Sequence, residues 1–263
     1  IECLYAPFVG SVNEVLETRG AEFDLIYITR YWVAEHHLAA IRLHAPQAKI
    51  LFNNADLHFL RELRSAIATG SHERIGSALQ IRDAELAVMR KVDLVLSYNE
   101  IEHAVILSHN LDSTRIAKCP WVVSTRSEVP GFEARSGIAF LGAYQHHPNV
   151  EAAEYFLREV MPLLRERLPG VELRLYGSDM PESWRDLFAG EEDVALPGWV
   201  ASVDEVYDNS RVFVAPLRSG AGIKGKVIGA MAHGIPCVLS PVAAEGTGIR
   251  DGLEALVATT PAQ

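Results

Sequence analysis

Short apolar runs of four to six residues alternate with amphipathic stretches along nearly the whole chain, the pattern of βαβ units around parallel sheets. Residues 23–28 (FDLIYI) predict a strand. Residues 32–44 predict a helix with Val33, Leu38, Ile41 and the stem of Arg42 near one face, ended by Pro46. Residues 49–53 predict the next strand, and a helix over about 56–68 follows. Residues 70–74 are polar with glycine and read as a loop. A helix is predicted over 76–91, with Ile81, Leu86 and Met89 facing inward. Residues 93–97 (DLVLS) read as a buried strand, 99–110 as a helix, and 116–123 as the strand that closes this half.

Residues 124–137 (STRSEVPGFEARSG) are polar, contain Pro130 and two glycines, and mark a linker. A fresh series begins with a strand at 138–142. A long helix over 148–168 follows, with Pro148 at its first position and Pro162 as a kink or interruption. Strands are predicted at 171–176, 194–196, 212–215, 236–239 and 255–257. The expected fold class is α/β, with two Rossmann-like domains over residues 1–130 and 131–263.

Composition narrows the function classes. The 263 residues are 49% apolar and 22% charged, ordinary for a globular chain. With 24 Lys+Arg against 34 Asp+Glu the net charge is −10, so general nucleic-acid binding through phosphates is not expected. Cys3, Cys119 and Cys237 are too few and too scattered for a disulfide framework or a CxxC metal site, which suits a reducing compartment. No run approaches a membrane span. The first residues, IECLY, lack an initiator Met and read as mid-protein sequence, so the expectation is a fragment whose gene extends upstream and whose N-terminal domain is incomplete.

The stretch PLRSGAGIKGKV (216–227) carries the most chemistry. It follows a predicted strand and opens a predicted helix over 226–233. Glycines let backbone approach a ligand, and a helix N-terminus offers N–H groups with partial positive charge. Lys224 and Lys226 reverse the chain's sign locally, which suits phosphate. Gly220-x-Gly222-x-x-Gly225 also matches the dinucleotide fingerprint, with Glu245 twenty residues on where a ribose-binding acid would stand. Against an NAD(P)-type enzyme, the motif sits at the fourth strand of its half, only 38 residues follow it, and the fingerprint does not account for two lysines.

Four blocks in order, FLGAYQHHPNVEAAEYF (140–156), VELRLYGS (171–178), LPGWV (196–200) and VFVAPLRSGAGIKGKVIGAMAHGIPCVLSPVAAEG (212–246), resemble the C-terminal domain of retaining GT-B glycosyltransferases of the GT4-type group. FDLIYITRYWVA (23–34) and ILFNNADLHFLRELR (50–64) resemble the N-terminal domain of related bacterial polysaccharide-assembly enzymes. The resemblance implies two Rossmann-like domains facing across a cleft. It implies sugar transfer with retention from a nucleotide-diphosphate donor to a glycan or lipid-linked acceptor, in surface polysaccharide or lipopolysaccharide synthesis. A cytoplasmic enzyme with peripheral contact at the inner membrane is expected. No essential metal or cofactor is implied, because the leaving diphosphate is neutralised by protein cations and helix dipoles.

Carried over residue by residue, the resemblance puts Gly142 beneath the donor diphosphate, with Gln145, His146 and His147 where relatives place an Arg/Lys pair. Neutralisation then falls on Lys224 and Lys226. Gly177 and Ser178 end the next strand, Trp199 and Val200 meet the nucleobase, and Ser219, Gly220, Ala221, Gly222 and Ile223 turn backbone N–H groups to the phosphates. The family's paired glutamates fall at Ala221 and Gly229, so either Glu245 takes over the ribose contact or donor affinity is weakened. A non-catalytic, degenerate transferase domain is therefore a further alternative.

In the N-terminal half, Asp56-Leu57-His58 resembles the His-containing loop lining the family's cleft, with Glu62 one turn on, so His58, Asp56 and Glu62 are the acceptor-side candidates. The plainer reading makes Asp56 the cap of the following helix. The adjacent pairs His36-His37 and His146-His147 lack the i, i+4 spacing of helical metal ligands, and no metal site is assigned. Cys237 reads as a core residue, Trp32, Trp121 and Trp184 as packing, and Glu191-Glu192-Asp193 as a solvated turn.

Overall fold

The computed structural model describes residues 2–111, 114–188 and 190–263. The chain divides after Trp121 into two α/β units. In the first, a helix α1 (Val12–Arg19) precedes β1 (Leu25–Thr29), α2 (Tyr31–His44), β2 (Lys49–Asn53) and α3 (His58–Ala68). Then come α4 (His72–Met89), β3 (Leu94–Ser97), α5 (Glu100–Ser108) and β4 (Arg115–Lys118). The strands lie parallel in the order β1-β2-β3-β4. Ile28, Phe52 and Val95 from the sheet meet Leu38, Ile41, Leu86, Met89 and Ile106 from the helices in one core.

Two boundaries differ from expectation for local reasons. The 70–74 segment is not a full loop, because the Ser71 hydroxyl accepts from Arg74 N and starts α4 at His72. The strand expected over 116–123 stops at Lys118: Cys119 N still donates to Ser97 O at 2.7 Å, but Pro120 has no N–H to continue the ladder.

The second unit runs β5 (Ser136–Leu141), α6 (His147–Tyr155), α7 (Met161–Arg167), β6 (Leu173–Tyr176), α8 (Ser183–Leu187) and β7 (Val194–Gly198). It continues through α9 (Asp204–Asn209), β8 (Ser210–Ala215), α10 (Gly225–Ala232), β9 (Cys237–Leu239), α11 (Pro241–Ala244) and β10 (Leu256–Val257). The turn Phe156–Val160 between α6 and α7 is π-helical: Pro162 cannot donate to the preceding turn, and the helix widens there instead of breaking.

The 124–137 segment, expected as a linker, belongs to this unit. Arg126 N donates to Ala232 O, and its guanidinium reaches both carboxylate oxygens of Asp208 at 2.6 and 2.7 Å. Its sheet is all parallel in the order β10-β9-β8-β5-β6-β7. The chain thus runs outward from β5 through β6 to β7, then returns to β5's other side with β8. That reversal makes a crevice at the carboxyl ends of β5 and β8, where open α/β sheets hold ligands. No helix among the described residues is long and apolar enough to cross a membrane.

Candidate functional site

Three loops, after β5, β6 and β7, close together at that edge of the sheet through backbone hydrogen bonds. Gly142 N donates to Tyr176 O at 3.0 Å, Tyr144 N to Ser178 O at 2.9 Å, and Gly177 N to Gly198 O at 2.7 Å. Gly177 has φ +131°, and a Cβ there would fall 1.6 Å from Gly142 O, so only glycine fits. The resulting cavity, about 380 Å3, is lined by Leu141, Gly142, Ala143, His146, Asn149, Gly177, Ser178, Trp199, Val200, Val203, Gly225 and Lys226. A second hollow of about 490 Å3 shares Gly177, Ser178 and Trp199, and extends over Asp179, Glu182 and Arg185. Trp199 is 71% exposed and offers its ring to both.

Lys226, in the first turn of α10, supplies the cavity's cation. Its Nζ donates to Leu141 O at 2.8 Å and Asn149 Oδ1 at 2.6 Å, and lies 4.4 Å from the centre of the Phe140 ring. Burial pulls this ammonium down to about 7, and the charge of Lys224 adds to the effect. Lys224 is the N-cap of α10 and offers no side-chain acceptor to the first-turn N–H groups, which leaves that helix end suited to an anion. Its own Nζ donates to Gly222 O at 2.7 Å, so Lys224 braces the glycine loop from within.

Of the residues expected to meet the donor, Gly142, Gly177, Ser178, Trp199, Val200 and Lys226 line the cavity together. His147 is exposed at the start of α6, and the neighbouring His146 lines the cavity. The segment Ser219 to Ile223 forms the loop before α10, with Gly220 and Gly222 at positive φ. Ser219 donates to Glu151 on α6 at 3.1 Å, and Arg218 reaches the Tyr155 ring, so this part of the loop is tied to α6. Glu245 directly follows α11, outside the lining residues. Asn149 was not among the expected residues, although Pro148-Asn149 at a helix start after Gly142 was visible. The dinucleotide alternative loses ground because its glycine motif follows β8 and not β5, the first strand of the sheet.

In the first unit, His58, Asp56 and Glu62 do come together. Asp56 binds Arg61 at 2.7 Å and also pairs with Arg30, and Arg61 lies 3.4 Å from Glu62. Asp56 is not the cap of α3. Leu57 holds that position, and the caps are two buried carboxylates from other helices: Glu102 accepts from Leu57 N, and Glu85 accepts from His58 N at 3.0 Å and Phe59 N at 2.8 Å. Burial pushes Glu85 up to about 7 against the lowering effect of those N–H groups. The His58 ring packs against Tyr31 and Trp32. Burial first, then Arg61, lowers its pKa, so the ring is neutral at pH 7. Arg61 can only donate, so His58 Nδ1 is its acceptor and the ring proton sits on Nε2. His58 is thus set up as a hydrogen-bond donor.

Other expectations divide. Trp184 and Cys237 are core residues, whereas Trp32 and Trp121 are about half exposed. Glu191 and Asp193 are not merely solvated, since Arg165 pairs with both. Among the described residues, no group of three or more His, Cys, Asp or Glu could hold a metal ion.

Residues 135–263 match the family Glycosyl transferases group 1. An uncharacterized 44.6 kDa protein in the cps region of Klebsiella pneumoniae is 24% identical over 128 residues, which are 46% of this chain and 33% of that protein. Among solved structures, HepE of Anabaena in complex with UDP and glucose superposes with a TM-score of 0.67 at 12% identity, over 94% of this chain and 67% of its own. The pneumococcal O-GlcNAc transferase GtfA in complex with UDP and GlcNAc gives 0.65 at 17% identity, over 94% and 48%. Sucrose-phosphate synthase from Thermosynechococcus elongatus gives 0.67 at 15%, over 98% and 69%. Residues 135–263 thus resemble the group 1 glycosyltransferase family, and the chain has the α/β fold of solved GT-B glycosyltransferases.

Proposed function

We propose that this chain transfers a sugar from a nucleotide-diphosphate donor to a glycan or lipid-linked acceptor, with retention, in bacterial surface-polysaccharide synthesis on the cytoplasmic side of the membrane. The observation that carries the reading is Lys226 in the cavity lined by the loops after β5, β6 and β7, beside the uncapped N-terminus of α10. As the donor's C1–O bond breaks, its electron pair leaves on the diphosphate. Negative charge then grows where an ammonium and helix N–H groups are already oriented, which stabilises the transition state. Trp199 and the 490 Å3 hollow beside it offer a face and a space for the nucleobase. UDP in HepE and in GtfA supports a uridine donor as the first to try. On the acceptor side, His58 Nε2–H would donate to a sugar hydroxyl, with Asp56 and Arg61 holding the ring's loop. No metal takes part in this scheme.

Calorimetric titration with UDP, GDP, dTDP and NAD tests it. Micromolar to millimolar binding of one nucleoside diphosphate, with none of NAD, is the expected result. No response to any diphosphate overturns the reading, preferential NAD binding favours a dinucleotide enzyme, and binding without sugar transfer or donor hydrolysis marks a non-catalytic domain.

A further inference from the structure

The amide of Asn149 is fixed at both ends. Its Oδ1 accepts from Lys226 Nζ at 2.6 Å and its Nδ2 donates to Ala143 O at 2.8 Å. A lysine can only donate and a carbonyl can only accept, so the amide has one workable orientation. Gly142 makes room for it: a Cβ at 142 would come 2.8 Å from Asn149 Cγ. Both partners of the ammonium, Leu141 O and Asn149 Oδ1, are neutral, and Lys226 forms no ion pair among the described residues. The titratable side chains around it are Lys224 from the glycine loop, His146 from the β5–α6 loop, and Tyr207 from α9, whose hydroxyl donates to Lys226 O at 3.0 Å. None is a carboxylate. An ammonium enclosed by neutral acceptors at the edge of an open cavity lacks its counter-charge.

We propose that Asn149 is the positioning residue that holds the Lys226 ammonium toward the cavity, and that the diphosphate of the bound ligand supplies the counter-charge which the protein withholds. This rests on the donor-binding function proposed above. It goes beyond it in giving Asn149 a role and in making binding proton-linked. Burial pulls Lys226 down to about 7, so binding of a diphosphate draws a proton from solvent onto Lys226 Nζ. An aspartate at 149 would keep the shape and the acceptor but provide the counter-charge in advance.

The test has two arms on the full chain. The first follows the Nζ of Lys226 by NMR in ligand-free 15N-lysine-labelled protein, assigned with Lys226→Met, for wild type and Asn149→Asp. The wild-type group is expected to titrate near neutrality, and in Asn149→Asp at least a hundredfold lower proton concentration should be needed to deprotonate it. An unchanged titration in Asn149→Asp overturns the contact. The second arm measures UDP affinity between pH 6.5 and 9 for wild type, Asn149→Leu and Asn149→Asp. Wild-type affinity is expected to fall as pH rises through the Lys226 titration, with both variants at least tenfold weaker at pH 7 and the pH slope lost in Asn149→Asp. Asn149→Leu binding like wild type with the same slope overturns the positioning role alone. A wild-type chain that binds no UDP, while Lys226 still responds to Asn149→Asp, overturns the counter-charge role together with the donor reading and leaves only the contact.

Discussion

Tyr207 fills the space that a side chain at Gly229 would need. A Cβ at 229 would come 3.1 Å from Tyr207 Oη, the hydroxyl that donates to the backbone of Lys226, and Tyr207 is itself 2% exposed. At Gly229, where the resemblance places a family glutamate, the space beside the helix is taken by an aromatic ring from α9 that braces α10. Gly229→Ala gains helix propensity of about 1 kcal/mol, but overpacking a fixed ring costs about 1–3 kcal/mol, so a net loss of about 1 kcal/mol is expected. In a Tyr207→Phe background the nearest ring atom would be 3.4 Å away, ordinary contact, and the same substitution should become neutral or stabilising. Chemical denaturation of the double-mutant cycle reads this directly. Additive losses would show that the two residues are not coupled.

Glycines 142 and 177 should fail differently. Gly177→Ala drives a Cβ into Gly142 O and imposes a positive φ on alanine, so loss of folded second unit is expected. For Gly142→Ala the three nearest atoms all belong to the Asn149 side chain. Rotation moves Cγ and Nδ2 away but leaves Cβ at 3.0 Å, so the start of α6 must also shift by a few tenths of an ångström. The variant should fold with lowered stability and bind nucleotide as weakly as Asn149→Leu. Circular dichroism and UDP titration separate the two outcomes.

Lys226 and Glu85 make opposite contributions to stability against pH. Lys226 is depressed from 10.5 to about 7, so between those values the native state binds fewer protons than the unfolded chain, and stability rises with pH. The rise is at most about 5 kcal/mol, since a tenfold change in proton affinity between the two states is worth about 1.4 kcal/mol. Lys226→Met should remove it. Denaturation curves from pH 7 to 10, compared between wild type and variant, would contradict this if they ran parallel.

Glu85 is raised from 4.5 to about 7, so there the native state binds more protons and stability falls as pH rises through that interval, by about 3 kcal/mol. Glu85→Gln should flatten the dependence. It should also speed hydrogen exchange at His58 and Phe59, whose N–H groups the carboxylate accepts. Unchanged exchange at both amides would show that Glu85 does not hold the start of α3.

The order of strands and helices was legible because apolar period alone decides it, and β2 at Lys49–Asn53 fell where the pattern put it. Boundaries moved where one side chain or one missing N–H overrode the pattern, as with Ser71, Pro120 and Arg126. At the donor-side cavity, the glycines and Lys226 were legible because tight turns and phosphate chemistry demand those residue types. Asn149 was not, since an amide near a helix start has many common uses and its partner lies 77 residues away. The caps of α3 were illegible for the same reason: Glu85 and Glu102 reach Leu57, His58 and Phe59 from distant helices, while the nearby Asp56 is drawn off by two arginines.

The most direct measurement of the central claim is an amide chemical-shift titration of the 15N-labelled chain with UDP. Resonance changes concentrated at Gly142, Gly177, Ser178, Val200 and Lys226, and abolished by Lys226→Met in a folded protein, are the predicted result. Saturable binding whose changes lie elsewhere, or which survives Lys226→Met unchanged, would contradict the assignment of the donor site to the cavity that Lys226 lines.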